Sequence, residues 1–493
     1  MAVSKISGDA LADLLSRWPA WDGPLYRLFA DRIAMLADTG ELPAGLRLPP
    51  ERELASALSV SRNTAAAAYQ LLRDEGLAET RQGAGTRIAP HVTTAAAVHR
   101  ANGLFAGLLQ ASSVEVDLTL AAVECAPQVT AALCDPDTVL SEAERRAVIG
   151  TTGYFPLGLP ELRTALAELL TARHGLPATS GQILVTTGGQ QAIDLLMRSF
   201  VIPGQAVVVE DPTFPGAIDA LHRAGARPIG LPASHGLDPD RLARAVTTHR
   251  PALVYLIPAH HNPTGLVMPA ASRLRIAELA AAHPGTLFVD DMTLAEHSLR
   301  TGPNRSLPPP LAAAEPGLPN LVTIGSLSKL YWGGLRIGWI RAVRPMISRL
   351  AAAKAAADLG SNVLGQAVTA AVIASKHADI VRWRTGRLRA RRDVMHAALR
   401  QQVPDWSWEL PEGGLTLWVQ LPGGADGGAF AQAALRRGVS VVPGRLLSTA
   451  DANRDWIRIA YTRSPAELRA AVPPLAQAWH GIRDRWPAGR RSA

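Results

Sequence analysis

The chain has 493 residues, of which 47% are hydrophobic and 19% charged, a composition that fits a soluble globular protein of two or three domains. No uninterrupted apolar run is long enough to span a bilayer, and Met1 to Lys5 lead into polar and acidic residues without a signal-type stretch, so no transmembrane helix is predicted and a cytoplasmic protein is expected. The two cysteines, Cys125 and Cys134, form neither a disulfide framework nor a metal spacing, which suits a reducing compartment. A net charge of +8 invites a nucleic-acid reading, yet residues 1 to 90 hold ten Lys or Arg against eleven Asp or Glu. Any grip on DNA there depends on where the arginines stand, not on bulk charge.

From Pro24 to about Asp38 the apolar residues Leu25, Leu28, Phe29, Ile33 and Leu36 recur at helical spacing, and Gly40 and Pro43 stop the helix. A second short helix is predicted from Glu51 to Leu58. After a turn at Ser59 and Val60, Ser61 caps a third helix that runs through Asn63, Tyr69 and Leu72 to about Glu75, with Gly76 ending it. Two helices joined by a short turn are the core of a helix-turn-helix, and the segment Leu77 to Ile88, with glycines at 83 and 85, predicts a hairpin wing. The Ala- and Thr-rich stretch from Ala89 to Val114 is a linker with room for one helix, and no repeat of solenoid length is present.

Beyond the linker, the apolar runs Ile183 to Thr186, Ala206 to Val209, Leu253 to Ile257, Leu287 to Val289 and Leu321 to Ile324 alternate with amphipathic stretches. They predict buried parallel strands of an α/β domain. Polar motifs follow several of these runs, at the carboxyl ends where such sheets gather ligands. The densest basic run, Arg382, Arg384, Arg387, Arg389, Arg391 and Arg392, spreads around a predicted helix and reads as a solvated surface in preference to an auxiliary DNA contact.

The strings Arg47-Leu48-Pro49-Pro50-Glu51-Arg52-Glu53-Leu54-Ala55, Val60-Ser61-Arg62-Asn63-Thr64 and Arg81-Gln82-Gly83-Ala84-Gly85-Thr86 closely resemble the winged helix-turn-helix of GntR-type regulators. The resemblance implies that Arg52 and Arg62 meet phosphates or base edges. It also implies that Ser61, Asn63 and Thr64 open the recognition helix and that the wing at Gly83 touches the minor groove. The physics agrees, because amides and small hydroxyls at a helix N-terminus suit phosphate oxygens and a nearby Arg can read guanine bidentately.

A pyridoxal-phosphate site needs a Schiff-base lysine, an acid opposite the pyridinium nitrogen, a phosphate cup and an Arg for a substrate carboxylate. Ser326-Leu327-Ser328-Lys329, followed by Gly334-Leu335-Arg336-Ile337-Gly338, resembles the Schiff-base segment of fold-type I aminotransferases. It implies Lys329 as the lysine and Ser326, Ser328 and Arg336 around the phosphate. Thr187-Gly188-Gly189-Gln190, between a predicted strand and helix, supplies exposed amides for the same phosphate. Asp211-Pro212-Thr213-Phe214 resembles the loop that stacks an aromatic plate on the ring, which implies Phe214. Asn262-Pro263-Thr264-Gly265 matches the family tetrapeptide, so Asn262 would bond the ring hydroxyl, and Asp290 matches the pyridinium partner. Arg458, in Trp456-Ile457-Arg458-Ile459-Ala460, matches the carboxylate-binding Arg, a task for which bidentate geometry favours Arg over Lys.

Together the halves resemble the MocR subfamily of GntR-type regulators, in which a winged helix is fused to an aminotransferase-like domain. The resemblance implies a multidomain fold: a winged helix at residues 1–88, a linker at 89–114, and at 115–493 an α/β fold-type I aminotransferase-like domain with a smaller C-terminal α+β subdomain. It further implies a homodimer, double-stranded operator DNA and a small amino-compound effector as partners, pyridoxal 5'-phosphate as cofactor and no metal. One departure stands out: where the family often has a tyrosine beyond the pyridinium Asp, this chain has Asp291, Met292 and Thr293, which puts efficient transamination in doubt. Thr293 is the expected partial replacement. The adjacent His260 and His261 read as site-lining side chains, not metal ligands. Two functions compete, a regulator that senses an amino compound or the cofactor itself, and an active class I aminotransferase with an appended DNA-binding domain. The regulator is preferred because a bare aminotransferase needs no sequence reader.

Overall fold

Leucines at 11, 54 and 72, with Phe29, Ile33 and Tyr69, close one small core around four helices and a hairpin. The helices are α1 (Gly8–Ser16), α2 (Leu25–Asp38), α3 (Glu51–Ala57) and α4 (Arg62–Asp74), and the antiparallel strands are β1 (Ala78–Arg81) and β2 (Gly85–Ile88). The helix at Gly8 was not anticipated; Glu53 accepts the Gly8 N–H at 2.7 Å and Leu11 and Leu15 are buried, so α1 is held by its apolar face and a carboxylate from α3. Tyr69 fixes α4 to the loop before α3 by donating to the Pro49 carbonyl at 2.8 Å. The computed structural model describes residues 5–16, 25–38, 41–74, 77–81, 85–89, 114–301, 309–450 and 452–483. The linker therefore lies almost wholly outside the described residues, as does Gly83 at the wing tip.

The second unit spans residues 112–427 and 434–493. After the short β3 (Val116–Asp117) its centre is a seven-stranded sheet, built from β4 (Ile183–Thr186), β5 (Ala206–Asp211), β6 (Arg227–Pro232), β7 (Leu253–Leu256), β8 (Leu287–Asp291), β9 (Leu321–Ser326) and β10 (Gly338–Arg341). Their spatial order is β4-β10-β9-β8-β7-β5-β6. The five predicted strands are all present, and each is buried along its whole length between the two helical layers, as continuous apolar runs require. The sheet is mixed and not purely parallel: β10 inserts between β4 and β9 and pairs antiparallel with both. The C-terminal part adds a three-stranded sheet of β11 (Thr416–Gln420), β14 (Trp456–Ala460) and β13 (Val442–Pro443), in that order, backed by the helix Pro465–Ile482. Strand β12 (Val439–Ser440) runs parallel to β3.

The basic run lies on the helix Val363–Gln402, but the expectation of a solvated surface fails for its central members. Arg384 and Arg391 are buried; Arg384 donates to the Leu330, Tyr331 and Glu124 carbonyls, and Arg391 to the Glu124 carboxylate at 2.7 Å and the Thr462 carbonyl at 2.8 Å. Arg389 and Arg392 reach the carbonyls of Leu299 and Pro411. These arginines clamp the long helix to the segments around it. Among the described residues no helix is long and apolar enough to cross a membrane.

Candidate cofactor site and nucleic-acid interface

Polar residues at the carboxyl ends of the strands converge on one place. After β4, Gly188 adopts φ +122°, a region that side chains avoid, and leads into the helix Gly189–Phe200. A Cβ on Gly188 would stand 3.1 Å from Arg336 Nη2, and one on Gly189 would stand 3.4 Å from Thr293 Oγ1 and 3.7 Å from Ser326 Cβ. The helix N-terminus, the Arg336 guanidinium, Ser326 and Thr293 thus surround a small space at which unpaired amides point. Ser326 Oγ donates to Ser328 Oγ at 3.0 Å and accepts the Ser328 N–H at 3.2 Å, which orders the turn leading to Lys329. Such a cradle of amides, hydroxyls and one cation fits a phosphate.

Asp290, at the end of β8, is fully buried, and its Oδ2 accepts the Leu311 N–H at 2.6 Å. Burial pushes its carboxyl up to about 7, with Asp291 adding to the rise while the Leu311 N–H and Arg273 oppose it. A cationic ring nitrogen is the partner such a carboxylate suits. Lys329 is lowered to about 8, first by burial and then by the like charges of Arg458 and Arg336, so a useful fraction of neutral amine exists near neutral pH. Phe214, half-buried, caps the next helix, and Gly216 leaves room for its ring beside Gln190. Gln190 donates its amide to the Gly216 carbonyl at 2.8 Å.

Arg458, on β14, is brought to Asn262 from the far side of the site: Nη1 donates to Asn262 Oδ1 at 3.3 Å, Nη2 donates to the Thr119 carbonyl at 2.6 Å, and Nε is buried without a partner. Burial pulls its pKa to about 10. An Arg that is almost fully buried, with one donor unanswered, is suited to a carboxylate. The structure thus places Lys329, Asp290, Asn262, Phe214, Gly188, Gly189, Gln190, Ser326, Ser328, Arg336 and Arg458 in one region of the larger unit.

Met292 lines a cavity of about 30 Å³ together with His174, Thr293, Glu296, His297 and Ser326. Thr293 Oγ1 faces Gly189, where a Cβ would stand 3.4 Å from it. His260 and His261 sit in a turn, not a strand, with φ +51° at His260. His261 Nδ1 pairs with Thr264 Oγ1 at 2.9 Å, and its Nε2 lies 3.5 Å from Glu210. No group of metal-holding residues occurs among the described residues.

Several groups escaped the sequence reading. Asp211 accepts from Ser448 Oγ at 2.8 Å, Thr449 N at 3.0 Å and Asn453 Nδ2 at 2.9 Å, tying the Phe214 loop to the C-terminal part. Glu296 accepts from Arg173 Nε at 3.0 Å and pairs with His377 Nε2 at 2.9 Å, while His377 Nδ1 meets the Tyr331 hydroxyl at 2.9 Å, two residues past Lys329. No local string marks either set, because the partners are far apart in sequence.

In the N-terminal unit, Ser61 Oγ accepts the Thr64 N–H at 3.1 Å, the cap expected for α4. Arg52, Ser61, Arg62 and Asn63 are exposed and Thr64 is half-buried. Arg62 Nε lies 3.7 Å from Glu51, a loose surface pair that a phosphate can displace. The wing is pinned from behind by Leu48 N–H to the Thr86 carbonyl at 2.9 Å.

The fold and the lysine-bearing turn are those of the class I and II aminotransferase family, and the family described as "Aminotransferase class I and II" matches residues 126–474. The family "Bacterial regulatory proteins, gntR family" matches residues 25–88. An uncharacterized HTH-type transcriptional regulator, YisV of Bacillus subtilis, is 28% identical over 94% of this chain and 98% of its own. The probable rhizopine catabolism regulatory protein MocR of Rhizobium meliloti is 28% identical over 86% of this chain and 87% of its own. The crystal structure of LysN, an alpha-aminoadipate aminotransferase of Thermus thermophilus complexed with N-(5'-phosphopyridoxyl)-L-leucine, has a TM-score of 0.65 at 27% identity, covering 78% of this chain and 99% of its own. The chain belongs to the class I and II aminotransferase family in its MocR form, a GntR-type DNA-binding regulator fused to an aminotransferase-like domain with pyridoxal phosphate as cofactor.

Proposed function

We propose that this regulator works as a cytoplasmic homodimer that senses an amino acid or related amine carrying an acidic group, and that occupation of the larger unit changes its grip on operator DNA. The domain boundaries proposed are 1–88 for the reader, 89–114 for the linker and 115–493 for the sensor. The observation that carries the reading is the coexistence on one chain of an exposed Arg52, Ser61, Arg62 and Asn63 surface with a half-buried Lys329 and the buried Asp290 and Arg458.

When bound, pyridoxal phosphate supplies a carbonyl that condenses with amines and a ring that withdraws electrons. Gly188, Gly189, Ser326, Ser328 and Arg336 would hold its phosphate, and Asp290 would keep the ring nitrogen protonated. Phe214 would pack on the ring face, with Gln190 beside it. Asn262, which accepts from Arg458 Nη1, would bond the ring hydroxyl and orient Arg458 to receive the effector carboxylate. Lys329 would hold the cofactor through its amine, and with its pKa lowered to about 8 its Nζ can hold or release a proton near neutral pH. With Met292 where relatives often carry tyrosine, exchange without sustained turnover is expected.

The complete Lys329, Asp290 and Arg458 set also supports the second reading, an active aminotransferase. One titration separates them: candidate amines are followed by visible absorbance with and without operator DNA while keto-acid formation is assayed. The regulator reading expects amine and DNA to alter each other's affinity by the same factor, a coupling of about 1–3 kcal/mol. Rapid turnover with operator affinity unchanged would establish the enzyme instead.

A further inference from the structure

The residues at which the linker ends are stitched to the strand of Arg458. Val116 and Leu118 are buried and Asp117 and Thr119 half-buried, the alternation of a strand with one covered face. Strand β3 is fixed to β12 by the Val116 N–H to the Gly438 carbonyl and the Leu118 N–H to the Ser440 carbonyl, both at 3.0 Å. From Asp117 to Leu120, four successive carbonyls then accept from residues 458 to 463: Asp117 from Arg463 Nε at 3.0 Å, Leu118 from the Ala460 N–H at 2.9 Å, Thr119 from Arg458 Nη2 at 2.6 Å and Leu120 from Thr462 Oγ1 at 3.0 Å. Only the Thr119 bond is made by a residue of the cofactor site.

Arg458 is held but its donors are not used up. A guanidinium carries five N–H groups, and here Nη1 reaches Asn262 at 3.3 Å, Nη2 is bonded to Thr119 and Nε is buried with no partner. Without an anion, this buried cation rests on two neutral oxygens. A carboxylate would neutralise it and answer the open N–H groups, which makes the guanidinium harder to move. The Thr119 carbonyl is itself aimed by a neighbour: Asp117 Oδ1 accepts the Thr119 N–H at 2.8 Å and the Thr119 hydroxyl at 2.6 Å, closing a tight turn around that residue.

We propose that β3 and the turn through Thr119 form a strap that reads the acid of the effector: a carboxylate on the open N–H groups of Arg458 fixes its guanidinium, fixes the Thr119 carbonyl with it, and so firms the residues at which the linker to the DNA-binding unit ends. This rests on the reading of Arg458 given above and adds the route by which occupation leaves the site. Its consequence is a division of labour. The amine of the effector engages the cofactor, while the acid carries the signal, so an amine without an acid occupies the site and is silent toward operator DNA.

The test needs no identified effector. Full-length protein freed of cofactor is saturated with N-(5'-phosphopyridoxyl)-L-alanine or with N-(5'-phosphopyridoxyl)ethylamine, probes that fill the cofactor site alike and differ by one carboxylate. The amides of residues 116 to 119 should exchange hydrogen about tenfold more slowly with the alanine probe, while those of β7 and β8 exchange equally with both. Operator affinity should differ between the two probes by about fivefold or more. Asp117→Ala, which frees the Thr119 turn, should abolish both differences; Asp117→Asn keeps the Oδ1 acceptor, should retain them, and guards against a folding artefact. Strap exchange equal with the two probes, or differences that survive Asp117→Ala, overturn the strap, and if operator affinity still distinguishes the probes the sensing reading stands. Operator affinity that is the same with either probe and with neither overturns both.

Discussion

The two functional surfaces of this chain handle charge in opposite ways. On the N-terminal unit Arg52 and Arg62 are exposed, and the pair between Arg62 and Glu51 is 3.7 Å long, so these side chains stay solvated until a phosphate or base edge replaces water. In the larger unit Lys329, Asp290 and Arg458 have their ordinary ionisation displaced by burial, Lys329 and Arg458 downward and Asp290 upward. Exposed charges can be removed at little cost to the fold, and their loss is read in affinity. Buried ones are bound up with folding and proton uptake, so the same kind of substitution is read in spectra and in pH dependence.

The largest effect should fall on the buried side. Lys329→Ala should abolish the visible absorbance of protein incubated with pyridoxal phosphate, because no other lysine among the site residues can replace its amine. A wild type that stays colourless under the same conditions would refute the assignment. Melting curves of the variant decide whether the fold survives.

The pH dependence of stability should sharpen the comparison further. His260 and His261 are lowered to about 3 and His297 to about 4, mainly by burial, so the unfolded chain takes up protons at about 6.5 that the folded chain refuses. Their contribution is present above that value and lost as pH falls toward the folded values. Asp290 at about 7 and Glu210 at about 8 work the other way, losing stability as pH rises through those values. His174 and His396 are lowered too, and Asp211 and Asp291 raised, so five imidazoles stand against four carboxyls; the expected net effect is a loss on acidification between about 6.5 and 4, which Glu296 and Glu124, both lowered to about 2, join below that. Urea melts of the full-length protein at stepped pH, with Asp290→Asn removing part of the opposing trend, check the sign. Glu210 and Asp290 predominating, with stability rising steadily down to pH 4, would contradict it.

How far each surface could be read from sequence follows the same division. The central strands were legible because burial on both faces turns them into unbroken apolar runs. Strand β6 was not, since Arg227-Pro228-Ile229-Gly230-Leu231-Pro232 lies at the sheet edge with two prolines and a glycine, and β10 offers only Trp339 and Ile340 as an apolar signal. The motif residues were legible as local strings. Illegible were the partners that fix them, such as Asp211 with Asn453 or Glu296 with His377, which only the fold brings together. The arginines of the long helix misled because a run of like charges usually means solvent, whereas here buried carbonyls and Glu124 receive them.

On the DNA side the effects should be smaller and confined to affinity. Arg62→Ala should weaken operator binding by about 1–3 kcal/mol if Arg62 reads a base, and the loss should then vary with the base substituted. A uniform loss across sequences, with a shallower salt dependence, would make it a phosphate contact. Binding indifferent to both Arg52→Ala and Arg62→Ala would remove α3 and α4 from the interface.

The smallest effect isolates the cap. Ser61 Oγ accepts the Thr64 N–H at 3.1 Å and shares a hydrogen bond with Thr64 Oγ1 at 2.8 Å, so it both ends the turn and presents a hydroxyl at the start of α4. Ser61→Ala should cost about 0.5–2 kcal/mol in stability of the N-terminal unit through the lost cap. Ser61→Asp restores a cap acceptor but places a negative charge where a phosphate is expected, so it should recover the stability and depress operator binding more than Ala does. Measuring melting and DNA affinity on the same three proteins separates the structural role of the hydroxyl from its recognition role. If Asp restores both, the N-terminus of α4 does not face the phosphate backbone, and the recognition surface must be sought elsewhere on the unit.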